Sequence, residues 1–292
     1  MWNAGWISPH EFQSVWPLWF GVVLIGLCVG SFLNVVIHRV PIMMEQSERL
    51  YAREIVGIVE PASTLTPITL SKPDSRCPHC GHQITWYENI PVFSYLALKA
   101  KCSACHTPIS VRYPLIELAT ALLWFAIAWQ FGLTPKGLCY IGLVTALMVL
   151  FWIDLDTQYL PDVITLPLVW AGLLFQLWTD TIALPLAIIG AIFGYLSLWA
   201  VFHLYRLVTG KEGFGYGDFK LLAAFGAWFG VGALPMIIFT ASLAGCLLYG
   251  LMILLRKHEY NEKFAFGPFL AIAGLAAVFW NPELTMQQLF SA

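Results

Sequence analysis

Eight apolar runs, each long enough to cross about 30 Å of hydrocarbon or nearly so with some tilt, dominate this chain and leave little choice of fold class. They fall near 16–38, 114–131, 137–153, 163–178, 182–205, 219–232, 235–255 and 264–280. In lipid a backbone must satisfy its own hydrogen bonds, so such runs become helices. The expected fold is an all-α polytopic membrane protein of about eight transmembrane helices. Composition agrees: 59% of the 292 residues are hydrophobic and only 11% are charged. The run at 219–232 is the shortest and contains glycine, so it is the least secure of the eight. The first run follows a leader without Lys or Arg and is long enough to span, so it reads as a permanent helix rather than a cleaved signal. A net charge of −2 gives no reason to expect nucleic-acid binding.

Charge placement sets an orientation. Loops rich in Lys and Arg stay on the cytoplasmic side. Arg39, Arg49, Arg53, Lys72, Arg76, Lys99, Lys101 and Arg112 lie in the first long loop, Arg206, Lys211 and Lys220 in a second, and Arg256, Lys257 and Lys263 in a third. With eight helices these loops share one face, and only Lys136 lies opposite. The N-terminus is then outside and the long loop inside. The segment 40–113 is the only sizeable piece outside the bilayer, and it is too small to hold a large core without a staple.

Two Cys-x-x-Cys knuckles supply a candidate staple. Cys77 and Cys80 in "CPHC", with Cys102 and Cys105 in "CSAC", stand 21 residues apart. Four thiolates at such spacing can close a tetrahedral zinc site whose binding energy folds the loop. Four protein ligands leave no open position, so the zinc is structural rather than catalytic. Disulfides or free thiols are the alternative, and a reducing cytoplasm disfavours the disulfides. His79, His82 and His106 are spare ligands. Cys28, Cys139 and Cys246 lie in apolar helices as packing residues.

Carboxylates at membrane depth are costly and mark function by default. Asp154 and Asp156 in "FWIDLDTQYLPD" end the third run, Asp162 opens the fourth, and Asp218 in "GFGYGDFK" opens the sixth. The expected topology puts all four near one membrane face. Taken singly, Asp218 and Asp162 read as helix caps and the others as solvated loop groups. Taken together, two carboxylates within reach of each other can share a proton. One then activates water as general base while the other protonates the substrate, which suits amide hydrolysis without a nucleophilic serine.

The chain resembles the bacterial type IV prepilin peptidases, the leader peptidase and N-methyltransferase family of aspartic intramembrane proteases. The resemblance rests on "IDLDTQYLPD" and "GYGDFK", and extends through "GSFLNVVIHRVP" (30–41), the cysteine loop (77–117) and "FGPFLAIAG" (266–274). Residue by residue it implies that Asp154 and Asp218 are the catalytic aspartates. Gly215 and Gly217 would let backbone and substrate approach, with Asp156 and Asp162 in support and Asp156 the chief rival to Asp154. It implies removal of a short basic leader from type IV prepilins or type II secretion pseudopilins at the cytoplasmic face of the bacterial inner membrane. It also implies S-adenosylmethionine-dependent methylation of the new N-terminal amine. No glycine-rich nucleotide signature follows a strand, so the position of that cofactor is open; Asn34, His38, Arg39, Glu88, Asn89, Arg112 and Glu117 are polar residues near the loop with equally good structural roles. One departure is Ala265, where the family pattern leads one to expect proline before "FGPFLA".

The domain organisation expected on this basis is an N-terminal segment with the first helix at 1–39, a cysteine-rich, methyltransferase-associated domain at 40–113, and a seven-helix peptidase domain at 114–292. Two rivals stay open. One is a peptidase without methyl transfer. The other is a transporter with a carboxylate relay, which would place acids near the bilayer midplane, often within an internal repeat that is not evident here.

Overall fold

The computed structural model of the chain describes residues 6–56, 68–210, 215–255 and 265–280. All eight expected helices occur among them: α2 (Trp16–Val56), α4 (Arg112–Phe131), α5 (Pro135–Thr157), α6 (Asp162–Thr179), α7 (Leu184–Thr209), α8 (Tyr216–Phe229), α9 (Leu234–Leu254) and α10 (Gly267–Trp280), joined by the short helices α1 (Pro9–Ser14) and α3 (Phe93–Ala97). Six of them are long and apolar enough to cross a membrane. This is a multi-pass membrane protein. The other two, α8 and α10, have 14 residues each, or about 21 Å of helix. The count of eight full spans is therefore not reached by length alone. Lys211, Arg256, Lys257 and Lys263, which the orientation argument used, lie outside the described residues.

The chain divides into two compact units at Ile141 and Gly142, within α5. In the first, α2 and α4 pack closely. A Cβ on Gly26 would stand 2.8 Å from the Ala121 Cα, and one on Gly30 2.6 Å from the Glu117 Cα. The Gly-x-x-x-Gly pattern thus serves helix packing within the chain, where absent side chains let two backbones meet. The helix α2 does not end near 39 as expected but runs through Pro41 to Val56, so the position expected to begin a separate domain lies inside continuous helix. Arg39 then holds the returning chain: its guanidinium donates to the Thr69 carbonyl at 2.8 Å and the Pro73 carbonyl at 2.6 Å. Asn34 donates to the carbonyls of Gly30 and Tyr113, and the buried Glu117 accepts from the Val92 N–H at 2.8 Å. Three of the polar residues considered for cofactor binding therefore have structural partners.

In the second unit α8 is the hub. Apart from the half-buried Lys220, every residue from Asp218 to Phe229 is buried, enclosed by α6, α7 and α10. Such a helix need not match the bilayer thickness, because protein rather than lipid surrounds it. Gly190 and Gly194 of α7 meet the α8 backbone at Gly226 and Leu222. The far end of α8 is tied to α6, where Trp228 Nε1 donates to the Leu168 carbonyl at 2.9 Å, Gln176 Nε2 donates to the Trp228 carbonyl at 2.6 Å, and the Phe175 and Trp228 rings stack at 4.9 Å.

Candidate active site and metal centre

The segment that leaves α5 builds the first half of the site. Two residues along a helix turn the side chain by about 200°, so Asp154 and Asp156 face opposite ways: Asp154 is 5% exposed, whereas Asp156 is exposed. The helix ends at Thr157, Gln158 reverses the chain with φ 54°, and Leu160 and Pro161 are buried before α6 begins at Asp162. A non-glycine residue at positive φ is uncommon and is held here by the structure around it.

The second half starts at Gly215. That residue, not Asp218, is the N-cap of α8, and Asp218 lies inside the helix at its third position. The simple capping role considered for Asp218 is corrected accordingly. Its N–H donates to the Gly215 carbonyl at 3.2 Å, and its carboxylate folds back over Gly215, with Oδ2 3.7 Å from where a Cβ there would stand. Asp218 is 6% exposed.

Leu160 joins the two halves. A Cβ on Gly217 would stand 2.6 Å from the Leu160 Cβ, and one on Gly267, the first residue of α10, would stand 3.1 Å from the Leu160 Cδ1 and 2.6 Å from Asp154 Oδ2. Leu160 fills the notch that these two glycines leave, and Gly267 abuts the Asp154 carboxylate. The two carboxylates lie within electrostatic reach of each other. Asp154 Oδ2 and Asp218 Oδ1 are buried, and no protein group hydrogen-bonds either oxygen. Buried oxygens without protein partners call for an explanation, and presentation to water and a substrate amide is one.

Asp162 is not part of this pair. It lies on the first turn of α6 with its carboxylate on Lys220 Nζ, at 2.5 and 2.7 Å. Gly267, Leu160 and Lys220 have no assigned role in the sequence reading, although all three fall inside its motifs.

In the first unit the cysteines form a second centre. The Sγ atoms of Cys77, Cys80, Cys102 and Cys105 all lie within 4.8 Å of one another, and Cys77 and Cys105 are 3.8 Å apart. Thiolates around a tetrahedral ion with metal–sulfur bonds of about 2.3 Å stand about 3.8 Å apart, so the donor set fits a metal. The knuckles repeat one another. Cys77 and Cys102 donate their N–H groups to the carbonyls of His82 and Thr107, five residues on in each case. The residue after each second cysteine, Gly81 or His106, has positive φ, at 73° and 57°. Beside them Glu88 accepts from the Thr85 N–H and hydroxyl, and it meets His82, which in turn meets the Ser103 hydroxyl, so one network spans both knuckles. Hydrogen bonding, from Ser103 foremost and then Thr85, holds the Glu88 carboxyl down at about 2. His38 and Asn89 are exposed and Arg112 half-buried.

Family comparison matches both units. Residues 24–131 match the bacterial peptidase A24 N-terminal domain, and residues 141–251 match the type IV leader peptidase family. A protein of Pseudomonas aeruginosa named prepilin leader peptidase/N-methyltransferase is 51% identical over 222 residues, 75% of this chain and 76% of the relative. Proteins of the same name from Neisseria gonorrhoeae and Aeromonas hydrophila are each 48% identical, covering 71% and 73% of this chain and 73% and 74% of the relatives. No solved structure matches significantly. With half-identical relatives along three quarters of its length, the chain belongs to the type IV leader peptidase family.

Proposed function

We propose that the chain is an aspartic endopeptidase and N-methyltransferase, cutting the basic leader from type IV prepilins and type II secretion pseudopilins and then methylating the exposed amine from S-adenosylmethionine. The observation that carries the peptidase reading is the pair of buried aspartates brought together around Leu160, each with a carboxylate oxygen that no protein group satisfies. Asp154 and Asp218 are the catalytic pair. One carboxylate, ionised, takes a proton from water, and the other, protonated, hands one to the substrate as the amide breaks. Gly215 keeps the approach to Asp218 open, whereas the missing side chain of Gly217 makes room for Leu160 beside it. The exposure of Asp156 argues against it as the rival to Asp154, and Asp162 supports the site through Lys220. Carboxylates meeting at helix ends favour a hydrolytic pair over a transporter's relay along a pore.

The proposed setting is a bacterial inner membrane with the N-terminus periplasmic and the aspartates at the cytoplasmic face, where a substrate's basic leader ends and its apolar helix begins. The functional parts remain those expected: an anchoring segment to 39, the cysteine-rich portion of 40–113 in support of methyl transfer, and the peptidase helices beyond 114. The ion held by Cys77, Cys80, Cys102 and Cys105 is zinc, in a structural role.

The direct test is incubation of the purified protein with a prepilin and S-adenosylmethionine, read by intact mass. The expected product lacks the leader and carries one added methyl group. An uncut prepilin with folded enzyme would overturn the reading, and a cut but unmethylated product would reduce it to a peptidase.

A second expectation concerns the metal. Elemental analysis should find about one zinc per chain. The Cys77→Ser/Cys102→Ser variant should lose it, and limited proteolysis should then cleave within 68–110. A metal-free native protein whose four loop thiols all react at once would contradict this.

A further inference from the structure

We propose that Lys220, through its ion pair with Asp162, is a positioning residue that locks the start of α8 against the start of α6 and so fixes where Asp218 stands relative to Asp154; this rests on the aspartate pair being the peptidase centre. The two charged residues bracket the site. Lys220 lies two residues after Asp218 on α8, and Asp162 two residues after Leu160 at the head of α6. Leu160 packs on Gly217 and Gly267, and Gly267 abuts Asp154. The contacts therefore run from Lys220 through Asp162 to Leu160, which reaches Asp154 by way of Gly267 and Asp218 by way of its neighbour Gly217.

Lys220 has no reason of its own to sit where it does. A cation early in a helix faces the positive end of the helix dipole, whereas Asp162, on the first turn of α6, is where that dipole favours an anion. Lys220 lines an apolar hollow together with Leu166, Val169, Ile192 and Tyr195, and its ammonium meets both Asp162 oxygens, at 2.5 and 2.7 Å. With Lys220 side-chain exposure at 23% and Asp162 at 45%, water screens the contact only in part. The opposite end of α8 is anchored to α6 by Trp228 and Gln176. Beyond Leu160 packing, the ion pair is the polar tie described between these helices at the end that carries Asp218.

Reacting groups misplaced by about 1 Å lose roughly 100-fold in rate, so loosening this end should slow chemistry more than binding. The experiment compares Lys220→Met, Lys220→Arg, Lys220→Asp, Asp162→Lys and the double variant Lys220→Asp/Asp162→Lys for leader removal, with methyl transfer to a pre-cut pilin measured on the same preparations as a control for folding. Lys220→Met is expected to lower kcat by about 10- to 100-fold with KM within about twofold. Lys220→Arg should keep most of the rate, and the double variant should exceed both single reversals, as a coupled pair requires. Wild-type kcat in Lys220→Met, a loss confined to KM, or a double variant no better than the single reversals would overturn the proposal. Failure of the underlying reading is separable, since it would show as cleavage by Asp218→Asn.

Discussion

Asp154→Asn and Asp218→Asn are each expected to reduce prepilin cleavage by about 10^4-fold, while Asp156→Asn keeps activity within about threefold of wild type. The difference follows from geometry, because the three residues are chemically alike. Asp154 and Asp218 are buried, with oxygens that no protein group satisfies, whereas Asp156 points away from them into an exposed position. Asparagine keeps size and polarity but can neither take a proton from water nor deliver one to a leaving amine. Replacing a buried, unsatisfied carboxylate by an amide also removes a charge from an apolar setting, so both inactive variants should melt no lower than wild type. Rate loss with a matching loss of folding would point to structural roles instead.

The second large effect is expected at Gly267, outside the two aspartate motifs. Its backbone is ordinary helix, so alanine brings no conformational strain. What alanine brings is a methyl 2.6 Å from Asp154 Oδ2 and 3.0 Å from its Cγ. One of these groups must move by most of an ångström. The short aspartate side chain is pinned on a helix, and Leu160 Cδ1 also stands only 3.1 Å from the new methyl. Gly267→Ala is therefore expected to lower kcat about 100-fold while the protein still folds. Leu160→Ala, which vacates part of the notch, should restore some activity in the Gly267→Ala background. Cleavage assays on the two singles and the double variant check this, and a fully active Gly267→Ala would contradict the placement of α10 against Asp154.

The helices were legible in the sequence because a run of apolar residues states its own length, and so was the grouping of the four cysteines, which comes from two local Cys-x-x-Cys knuckles. The extension of α2 beyond residue 39 was not. Past that point the residues turn polar and Pro41 reads as a breaker, yet a helix can carry one proline and continue outside the apolar region. The two short helices were visible as apolar runs, but the enclosure of α8, which excuses its length, depends on α6 and α10 as well as on its chain neighbour α7. The aspartates stood out because charge is rare here. Gly267, Leu160 and Lys220 did not, since a glycine, a leucine and a lysine announce nothing until the fold sets a carboxylate beside the first, two glycines around the second and an aspartate opposite the third. Close approach belongs to tertiary structure, and spacing along the chain does not encode it.

Single variants would show whether each aspartate is needed, but two residues needed for separate reasons would give the same result. The measurement that separates these cases is the residual cleavage rate of Asp154→Asn/Asp218→Asn set against each single variant. Groups that act as one unit are strongly non-additive, because removing the second from a broken unit costs little more. A shared-proton pair predicts that the double variant cleaves as slowly as either single and no slower. A double variant slower by the product of the two single losses would mean that Asp154 and Asp218 act independently, and would contradict the dyad.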